Sequence, residues 1–188
     1  MAIYVYTGEG GGKTTNALGL ALRCIGHKKK VIIIQFMKYW KNLGELKFAK
    51  IKAMKPYFKI YQFGRPGWLK IKKGEKNVVK INGKKIIARD IEELDRKRCL
   101  EALNFARQIV KKQKPYLLVL DEIIFANYLK LISLEEIKDF LDFAKHKCHI
   151  VMTGRYASKE LIVLSDFANE IKIIKMPKKL FTDIGIQY

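Results

Sequence analysis

Short apolar runs that alternate with amphipathic segments organise this chain. The runs are bounded by turn residues and predict strands at residues 3–6, 31–36, 59–63, 116–120, 149–152 and 171–174. Residues 31–34 and 117–120 are uninterruptedly apolar, which is typical of parallel strands covered on both faces. The alternation of strands and helices therefore predicts an α/β domain of three layers with a mostly parallel central sheet.

Capping residues and apolar periodicity predict the helices. The first helix follows residue 12, runs to about Ile25 and is stopped by Gly26. A second helix begins at Asp90, which forms a capping pair with Glu93, and reaches about residue 112. Ser133 and Glu136 repeat the capping pair before a third helix. The apolar stripe of the second helix predicts core positions at Cys99, Ala102, Leu103, Ala106, Ile109 and Val110.

The size of the chain predicts a single domain. Its 188 residues, 49% of them hydrophobic, are enough for one substantial core and leave little length for a second. Between residues 65 and 87 the composition shifts to Lys, Gly and Asn, and Asn82-Gly83 separates two β-rich runs. This segment predicts a basic β-hairpin insertion within a single domain of residues 1–188.

A glycine-rich segment lies between the first predicted strand and the first predicted helix. Its residues are Gly8, Glu9, Gly10, Gly11, Gly12, Lys13, Thr14 and Thr15. Glycines let backbone N–H groups surround phosphate oxygens, Lys13 adds a positive charge, and the Thr14 hydroxyl suits Mg²⁺. The spacing is one residue shorter than the pattern of ordinary P-loop ATPases. The segment therefore predicts a nucleoside triphosphate site with an unusual loop.

Charged residues follow two other predicted strands. Asp121 and Glu122 come directly after residues 117–120, and Arg155 closes the turn after residues 149–152. Ligands of open α/β sheets bind at the carboxyl ends of strands, so these side chains are expected near the loop. We expect Thr14, Asp121 and Glu122 to hold Mg²⁺ or Mn²⁺, directly or through water, and Arg155 to bind phosphate oxygens.

The net charge and the cysteines indicate which partners and which cellular compartment suit the protein. Thirty-eight Lys and Arg against 18 Asp and Glu give a formal charge of +20, which attracts polyanions. The basic residues are mostly lysines spread along the chain, without an arginine-rich tract, so a nucleic-acid partner is not favoured. Cys24, Cys99 and Cys148 form no C-x-x-C pair, and no stretch is long enough to span a bilayer. The sequence predicts a cytoplasmic protein.

Motifs distributed over nearly the whole chain carry a resemblance to one family. They are GEGGGKTT, ALRCIGH, QFMKYWKNLGE, VLDEI, SLEEI, MTGR and the final GIQY. In this order they resemble the ATP:corrinoid adenosyltransferases of the P-loop, RecA-like type. That family has the same shortened loop, usually GNGKGKTT, so the missing residue favours this family over an ordinary ATPase.

The resemblance implies an enzyme that transfers the 5′-deoxyadenosyl group of ATP to the Co(I) centre of a reduced corrinoid and releases triphosphate. A Co(I) nucleophile carries no proton, so no general base is needed and Glu122 is expected to serve the metal. Lys13 and Arg155 are expected to stabilise the departing triphosphate. By the same resemblance Trp68 displaces the lower ligand of the corrinoid. The expected corrinoid contacts are Phe36, Lys38, Phe63 and Trp68.

The phosphate loop departs from the family pattern at two positions, and the resemblance also suggests partners. Glu9 stands where the family has Asn and Gly11 where it often has Lys, which predicts a lower ATP affinity. The family suggests a homodimer and an acidic flavoprotein as electron donor. A hypothetical docking face for that donor consists of Lys70, Lys72, Lys73, Lys76, Lys84 and Lys85.

Two other functions stay open at the level of the sequence. A P-loop NTPase stimulated by nucleic acid would explain the charge, use Glu122 to activate water and produce ADP. A nucleotide-binding module without turnover would explain the altered loop residues Glu9 and Gly11.

Overall fold

The strands and helices follow one another in an α/β order. A computed structural model describes residues 1–70, 78–81, 84–177 and 183–186, with the backbone alone for residues 68, 78–81 and 84–87. The strands are β1 (Ile3–Thr7), β2 (Val31–Phe36), β3 (Phe58–Phe63), β4 (Trp68–Leu69), β5 (Val78–Ile81), β6 (Lys84–Arg89), β7 (Leu117–Asp121), β8 (His149–Thr153) and β9 (Phe167–Glu170). The helices are α1 (Lys13–Gly26), α2 (Gly44–Lys50), α3 (Glu93–Gln113), α4 (Ile123–Tyr128), α5 (Leu134–Ala144) and α6 (Lys159–Val163).

The central sheet is parallel, which confirms the predicted fold class. Its strand order is β3-β2-β7-β8-β1-β9, and neighbouring strands pair parallel throughout. Since β7, β8 and β1 are consecutive in this order, their carboxyl ends are adjacent at one edge of the sheet. The phosphate loop, the acidic pair and Arg155 all follow these three strands, so the topology brings them together.

Helices cover both faces of the sheet. Along β2, Ile32 and Ile34 belong to the larger core, which includes the buried stripe of α3 and the apolar face of α5. Val31 and Ile33 belong to a second core, which includes Ala17 of α1. The strand is buried along its whole length, as its continuous apolar sequence predicted. The domain therefore has the three predicted layers.

The helix α3 begins later than predicted. Its first residue is Glu93, and the capping pair is Glu92 with Asp95, whereas Asp90 with Glu93 was expected. Asp95 is buried and accepts hydrogen bonds from Arg89 at 2.6 Å and from the Glu92 N–H at 3.0 Å, so one carboxylate both caps the helix and pairs with Arg89. The predicted apolar stripe is confirmed, since its members are all buried: Cys99, Ala102, Leu103, Ala106, Ile109 and Val110.

Two other helix boundaries match the prediction. The helix α1 ends at Gly26. At the start of α5 the Ser133 hydroxyl accepts a hydrogen bond from the Glu136 N–H at 3.1 Å, and the Glu136 carboxylate accepts one from the Ser133 N–H at 2.6 Å. Among the described residues no helix combines the length and apolarity needed to cross a bilayer.

The prediction of the last strand was wrong. The strand β9 covers Phe167–Glu170, and residues 171–174 are not a strand. The Phe167 ring stacks on Tyr4 of β1 with centroids 4.9 Å apart, which holds this exposed edge strand in place without an apolar run. Ile171 instead hydrogen-bonds through its N–H to the carbonyl of Thr7, and Ile174 is exposed.

The insertion after β3 contains the expected pair of strands. The strands β5 and β6 pair antiparallel, with Ile81 opposite Lys84, and β4 pairs parallel with β6. The turn predicted at Asn82-Gly83 and the lysines Lys72, Lys73 and Lys76 lie outside the described residues.

Candidate active site

The phosphate loop connects β1 directly to α1. Gly8 and Gly12 have φ angles of 97° and 103°, a left-handed conformation that favours glycine, and Gly12 is the N-cap of α1. The Lys13 side chain is buried and folds back across the loop. Its ammonium donates to the carbonyl oxygens of Gly8 and Gly10 at 2.7 and 2.6 Å. The loop therefore already encloses a cation at the position where a P-loop lysine meets phosphate.

The segment after β9 packs against the outer side of this loop. The Gly10 N–H donates to the Ile171 carbonyl at 2.8 Å, and the Ile171 N–H donates to the Thr7 carbonyl at 2.8 Å. A Cβ atom on Gly10 would lie 2.7 Å from the Ile171 oxygen, and one on Gly8 would lie 2.4 Å from it. Two of the loop glycines are therefore required by close packing against Ile171.

Asp121 is the centre of a buried polar cluster. One carboxylate oxygen accepts hydrogen bonds from the hydroxyls of Thr14 at 2.8 Å and Thr153 at 2.7 Å. The other accepts from the Lys38 ammonium at 2.6 Å and the Gln35 amide at 3.2 Å. Burial alone would raise the pKa of Asp121, but these partners hold it below its ordinary value. Asp121 is therefore an ionised carboxylate whose two oxygens both have partners.

Lys38 lies in this cluster and contacts the phosphate-loop residue Thr14. Its ammonium is 3.3 Å from the Thr14 hydroxyl and forms an ion pair with Asp121, while 26% of its side chain is exposed. Burial opposes its charge, but the nearby Asp121 and Glu122 carboxylates raise the pKa of Lys38 above its ordinary value. The residue that was expected to contact the corrinoid thus contacts Thr14 and Asp121 in this conformation.

Glu122 begins the helix α4 in a strained backbone conformation. Its φ angle is 69°, and its N–H donates to the Thr153 hydroxyl at 3.0 Å. Burial raises the pKa of the Glu122 carboxyl, and the neighbouring Asp121 raises it further. The cations Lys38, Lys13 and Arg155 act on this pKa in the opposite direction. Glu122 is therefore a half-buried acid among the positive charges of the site.

Arg155 is exposed at the end of β8. It follows Gly154, whose φ angle is 147° and where a Cβ atom would lie 2.5 Å from the backbone nitrogen of Phe125. Burial lowers the pKa of Lys13, and the charge of Arg155 lowers it further. The fold thus brings five predicted residues to one edge of the sheet: Lys13, Thr14, Asp121, Glu122 and Arg155.

The other residues predicted for the site are not part of this group of five. The Phe36 side chain is fully buried in the core, so its ring is not exposed to a ligand in this conformation. Phe63 is half-buried and packs against Phe105, with ring centroids 5.4 Å apart. Glu9 is exposed, and the side chain of Trp68 lies outside the part of the chain that is described.

Several polar residues of the site were missed by the sequence analysis. Gln35 and Thr153 both bond to Asp121, and the Gln62 amide donates to the Gln35 side-chain oxygen at 2.8 Å. Each is a polar residue at the end of an apolar run. Gln35 in particular interrupts the sequence VIIIQF, and that interruption was the available signal.

An ion-pair cluster anchors the insertion that carries Trp68. Asp95 accepts from Arg89 at 2.6 Å and from Arg65 at 3.3 Å, and Arg89 also donates to the Pro66 carbonyl at 3.1 Å. These contacts connect the loop before β4 and the end of β6 to the start of α3.

A cleft of about 380 Å³ opens beside the phosphate loop. Its lining includes Thr14 and Thr15, the apolar side chains of Leu22 in α1 and Phe48 in α2, and Ile186. A mostly apolar cleft with a few hydroxyls suits the organic part of a nucleotide or a second substrate.

Comparison with known proteins identifies relatives of the whole chain. A family model described as "ATP:corrinoid adenosyltransferase BtuR/CobO/CobP" matches residues 1–188. A protein named corrinoid adenosyltransferase from Escherichia coli strain K12 is 28% identical over 189 residues, covering 99% of this chain and 85% of the relative. One from Sinorhizobium sp is 29% identical over 176 residues, covering 93% and 73% respectively.

A third relative, named corrinoid adenosyltransferase CobA, comes from Salmonella typhimurium strain LT2. It is 26% identical over 174 residues, covering 92% of this chain and 77% of the relative. The shortened loop, the Thr14–Asp121 contact and the match over the full length agree with one another. This chain belongs to the family of ATP:corrinoid adenosyltransferases.

Proposed function

We propose that this protein transfers the 5′-deoxyadenosyl group of ATP to the Co(I) centre of a reduced corrinoid and releases inorganic triphosphate. The observation that carries the proposal is the link between the phosphate-loop hydroxyl of Thr14 and the buried carboxylate of Asp121, 2.8 Å apart, in a chain that the family covers from end to end. The acceptor is a cobalamin, a cobinamide or a similar corrinoid.

The reaction forms one bond and breaks one bond. The cobalt electron pair forms the Co–C bond to the 5′ carbon of ATP, the carbon–oxygen bond breaks, and its electron pair leaves on the triphosphate. Negative charge therefore grows on the leaving group. Lys13 and Arg155 are the cations placed to stabilise it, with the first-turn N–H groups of α1. The Lys13 ammonium exchanges the carbonyls of Gly8 and Gly10 for phosphate oxygens.

The donor set fits a magnesium or manganese ion. The Thr14 hydroxyl donates a hydrogen bond to Asp121, so the lone pairs of the Thr14 oxygen face away from Asp121 and can bind a cation. Glu122 offers a half-buried carboxylate. Both Asp121 oxygens already accept two hydrogen bonds, so Asp121 acts by orienting Thr14. When bound, the metal neutralises charge on the triphosphate.

Trp68 and Phe63 are the proposed contacts on the corrinoid side. The backbone of Trp68 pairs with Ala88 in β6, and the Asp95 cluster connects this insertion to α3. Trp68 then displaces the lower ligand of the corrinoid. Lys38 and Phe36 are assigned a supporting role in the corrinoid site, because Lys38 forms an ion pair with Asp121 and the Phe36 ring lies in the core.

The proposed partners and setting follow from charge and cysteines. An acidic flavoprotein supplies the electron that reduces the corrinoid to Co(I), attracted by the charge of +20. Lys70 of the suggested docking face pairs with Asp90 at 3.2 Å, so the contribution of this face depends on its other lysines. The protein works in the cytoplasm, where Cys24, Cys99 and Cys148 stay free thiols, and as a homodimer, which mass measurement in solution tests.

Anaerobic incubation with ATP, Mg²⁺ and chemically reduced cobalamin tests the function. We expect a light-sensitive adenosylcorrinoid, formed at least about 100-fold more slowly by Lys13→Ala. The matched control is Lys97→Ala, which removes an exposed lysine of α3 and leaves the rate unchanged. ADP formation stimulated by nucleic acid would favour the NTPase, and ATP binding without any product would favour a binding module.

A further inference from the structure

Three polar side chains lie side by side across three neighbouring strands of the sheet. Gln35 of β2 is in register with Gln62 of β3 on one side and with Asp121 of β7 on the other. The Gln35 amide donates to Asp121 at 3.2 Å, and the Gln62 amide donates to Gln35 at 2.8 Å. The Gln62 side-chain oxygen then accepts the backbone N–H of Trp40 at 3.1 Å. We name this row of residues the glutamine ladder.

The glutamine ladder has a fixed direction. An ionised carboxylate only accepts, so Asp121 requires the NH₂ group of Gln35 to face it, and the Glu45 carboxylate, 3.3 Å from the same NH₂ group, requires this too. The Gln35 oxygen is thereby turned to Gln62. The Gln62 oxygen is left for Trp40. Reversing Gln35 would cost its three hydrogen bonds, to Asp121, Glu45 and Gln62, and reversing Gln62 would cost two, so each amide has one satisfactory orientation.

The ladder meets a loop that is also held by close packing. Residues 37–43 connect β2 to α2, and Met37 begins this loop with a φ angle of 59°. Gly64 lies so close beneath it that a Cβ atom there would be 2.4 Å from the Met37 carbonyl carbon and 2.6 Å from the Lys38 nitrogen. In the middle of the loop Gln62 holds the backbone of Trp40, whose side chain is 37% exposed.

The loop is tied to the nucleotide site at two points. Lys38 reaches Asp121 and Thr14 directly, and Trp40 reaches Asp121 through the ladder. The backbone that carries the exposed indole is therefore held at a fixed position relative to the oxygen that is proposed to hold the metal. An exposed aromatic side chain on a rigidly held loop is suited to stacking on a flat ligand.

We propose that Trp40 is a further acceptor-binding residue and that Gln35 and Gln62 are positioning residues that hold it in place from Asp121. The flat ligand is the corrin macrocycle, which must approach the 5′ carbon of a nucleotide bound at Thr14. This inference rests on the proposed function, since it assumes that the second substrate is a corrinoid.

The test compares Gln62→Met with Gln108→Met, which makes the same chemical change at an exposed position of α3. In Gln62→Met we expect the KM for the corrinoid to rise about tenfold, while the Kd for ATP, measured by calorimetry, and the kcat stay within about threefold. Gln108→Met leaves all three unchanged. Gln62→Glu keeps an acceptor for Trp40 but opposes the Gln35 oxygen, so we expect the same direction of change.

A double-mutant cycle shows whether Gln62 acts through Trp40. Trp40→Ala is expected to raise the corrinoid KM about tenfold, and adding Gln62→Met to it is expected to raise the KM no further. Additive effects would overturn the proposal. An unchanged corrinoid KM in Gln62→Met, or an ATP Kd raised as much as the corrinoid KM, would overturn it as well.

A spectroscopic measurement separates this proposal from the proposed function. In a Trp68→Phe background Trp40 is the remaining tryptophan, and its quenching by acrylamide needs no corrinoid. We expect Gln62→Met to raise the quenching constant and lower the fluorescence anisotropy of Trp40, with a melting temperature close to that of the parent. Unchanged quenching would overturn the positioning role even if adenosyl transfer is confirmed. Changed quenching in a protein without transfer activity would locate the failure in the proposed function and overturn the assignment of a corrinoid to Trp40.

Discussion

The Lys38 ammonium lies 2.6 Å from the Asp121 carboxylate, although the sequence assigned one residue to the corrinoid and the other to the metal. Asp121 is fully buried and Lys38 is mostly buried, so each charge depends on the other. Because Lys38 also donates to the Thr14 hydroxyl, a metal ion bound at Thr14 competes with it for that oxygen. One ion pair therefore joins the residue expected at the corrinoid to the residue expected at the metal.

Removing the cation of this pair is expected to destabilise the protein. Lys38→Met leaves the Asp121 carboxylate buried without its strongest partner, which costs about 3 kcal/mol of unfolding free energy. Urea unfolding followed by circular dichroism measures it. The matched control is Lys145→Met, which breaks a 2.8 Å pair with Asp142 in which both side chains are exposed, and we expect less than about 1 kcal/mol there. Equal losses in the two variants would contradict the buried role of Lys38.

Two neighbouring glycines of the phosphate loop are expected to respond differently to the same change. In Gly10→Ala the new Cβ atom would lie 2.7 Å from the Ile171 oxygen and 2.8 Å from its Cγ2 atom. We expect a loss of about 1–3 kcal/mol in stability and a weaker ATP affinity. Gly11→Ala meets no atom within 4 Å and is expected to change both by little. Thermal unfolding and ATP calorimetry on the two variants measure both effects. Unchanged stability and ATP affinity in Gly10→Ala would show that Ile171 does not pack on the loop.

The Thr14 hydroxyl is expected to be needed for the metal. Thr14→Val keeps the shape of the side chain but removes the oxygen that donates to Asp121 at 2.8 Å, whereas Thr14→Ser keeps that oxygen. We expect Thr14→Val to lower kcat/KM at least about 100-fold and to raise the Mg²⁺ concentration for half-maximal rate. Thr14→Ser should stay within about tenfold of the parent. A Mg²⁺ dependence identical in all three proteins would remove Thr14 from the metal site.

Asp95 gives the stability a defined dependence on pH. Burial would raise its pKa, but the hydrogen bonds and charges of Arg89, with Arg65, hold it below the ordinary value of 3.8. Since the folded pKa is lowered, this stabilisation is present above pH 3.8 and is lost as the pH falls through the folded pKa. Asp95→Asn is therefore expected to cost about 3 kcal/mol at pH 7, and the difference from the parent should narrow below pH 3.8.

Urea unfolding over a pH series measures that difference. Asp90→Asn is the control, because the Asp90 carboxylate is 79% exposed in its 3.2 Å pair with Lys70 and should contribute less than about 1 kcal/mol. A difference between parent and Asp95→Asn that stays constant down to pH 2 would contradict the buried ion pair.

The predictions of placement that succeeded depend on local sequence. The phosphate loop, Thr14 and the Asp121-Glu122 pair each follow a strand within a few residues, and a parallel sheet places such strand ends at one edge. The buried stripe of α3 follows from helical periodicity alone. These features were predictable because each is determined within one element or by the general geometry of the fold.

The features that were missed depend on which strands become neighbours. Gln35 meets Gln62 and Asp121 only because β2 lies between β3 and β7, a strand order that the sequence did not predict. Strand β9 was misplaced because Phe167–Glu170 pairs with β1 and Phe167 stacks on Tyr4, contacts that the apolar pattern of residues 171–174 does not reveal. The start of α3 was misplaced because Asp95, the residue that completes the capping pair, also forms an ion pair with Arg89 of the insertion. The first two misses reflect contacts between distant parts of the chain, and the third reflects a side-chain contact between residues six positions apart.

Phosphorus NMR of the products of a single turnover tests the central claim most directly. With ATP, Mg²⁺ and a stoichiometric amount of Co(I) corrinoid, attack on the 5′ carbon predicts one inorganic triphosphate for each cobalt–carbon bond formed. Neither ADP nor orthophosphate should accumulate. Release of ADP and orthophosphate in the amount of ATP consumed, without a cobalt–carbon bond, would contradict the account.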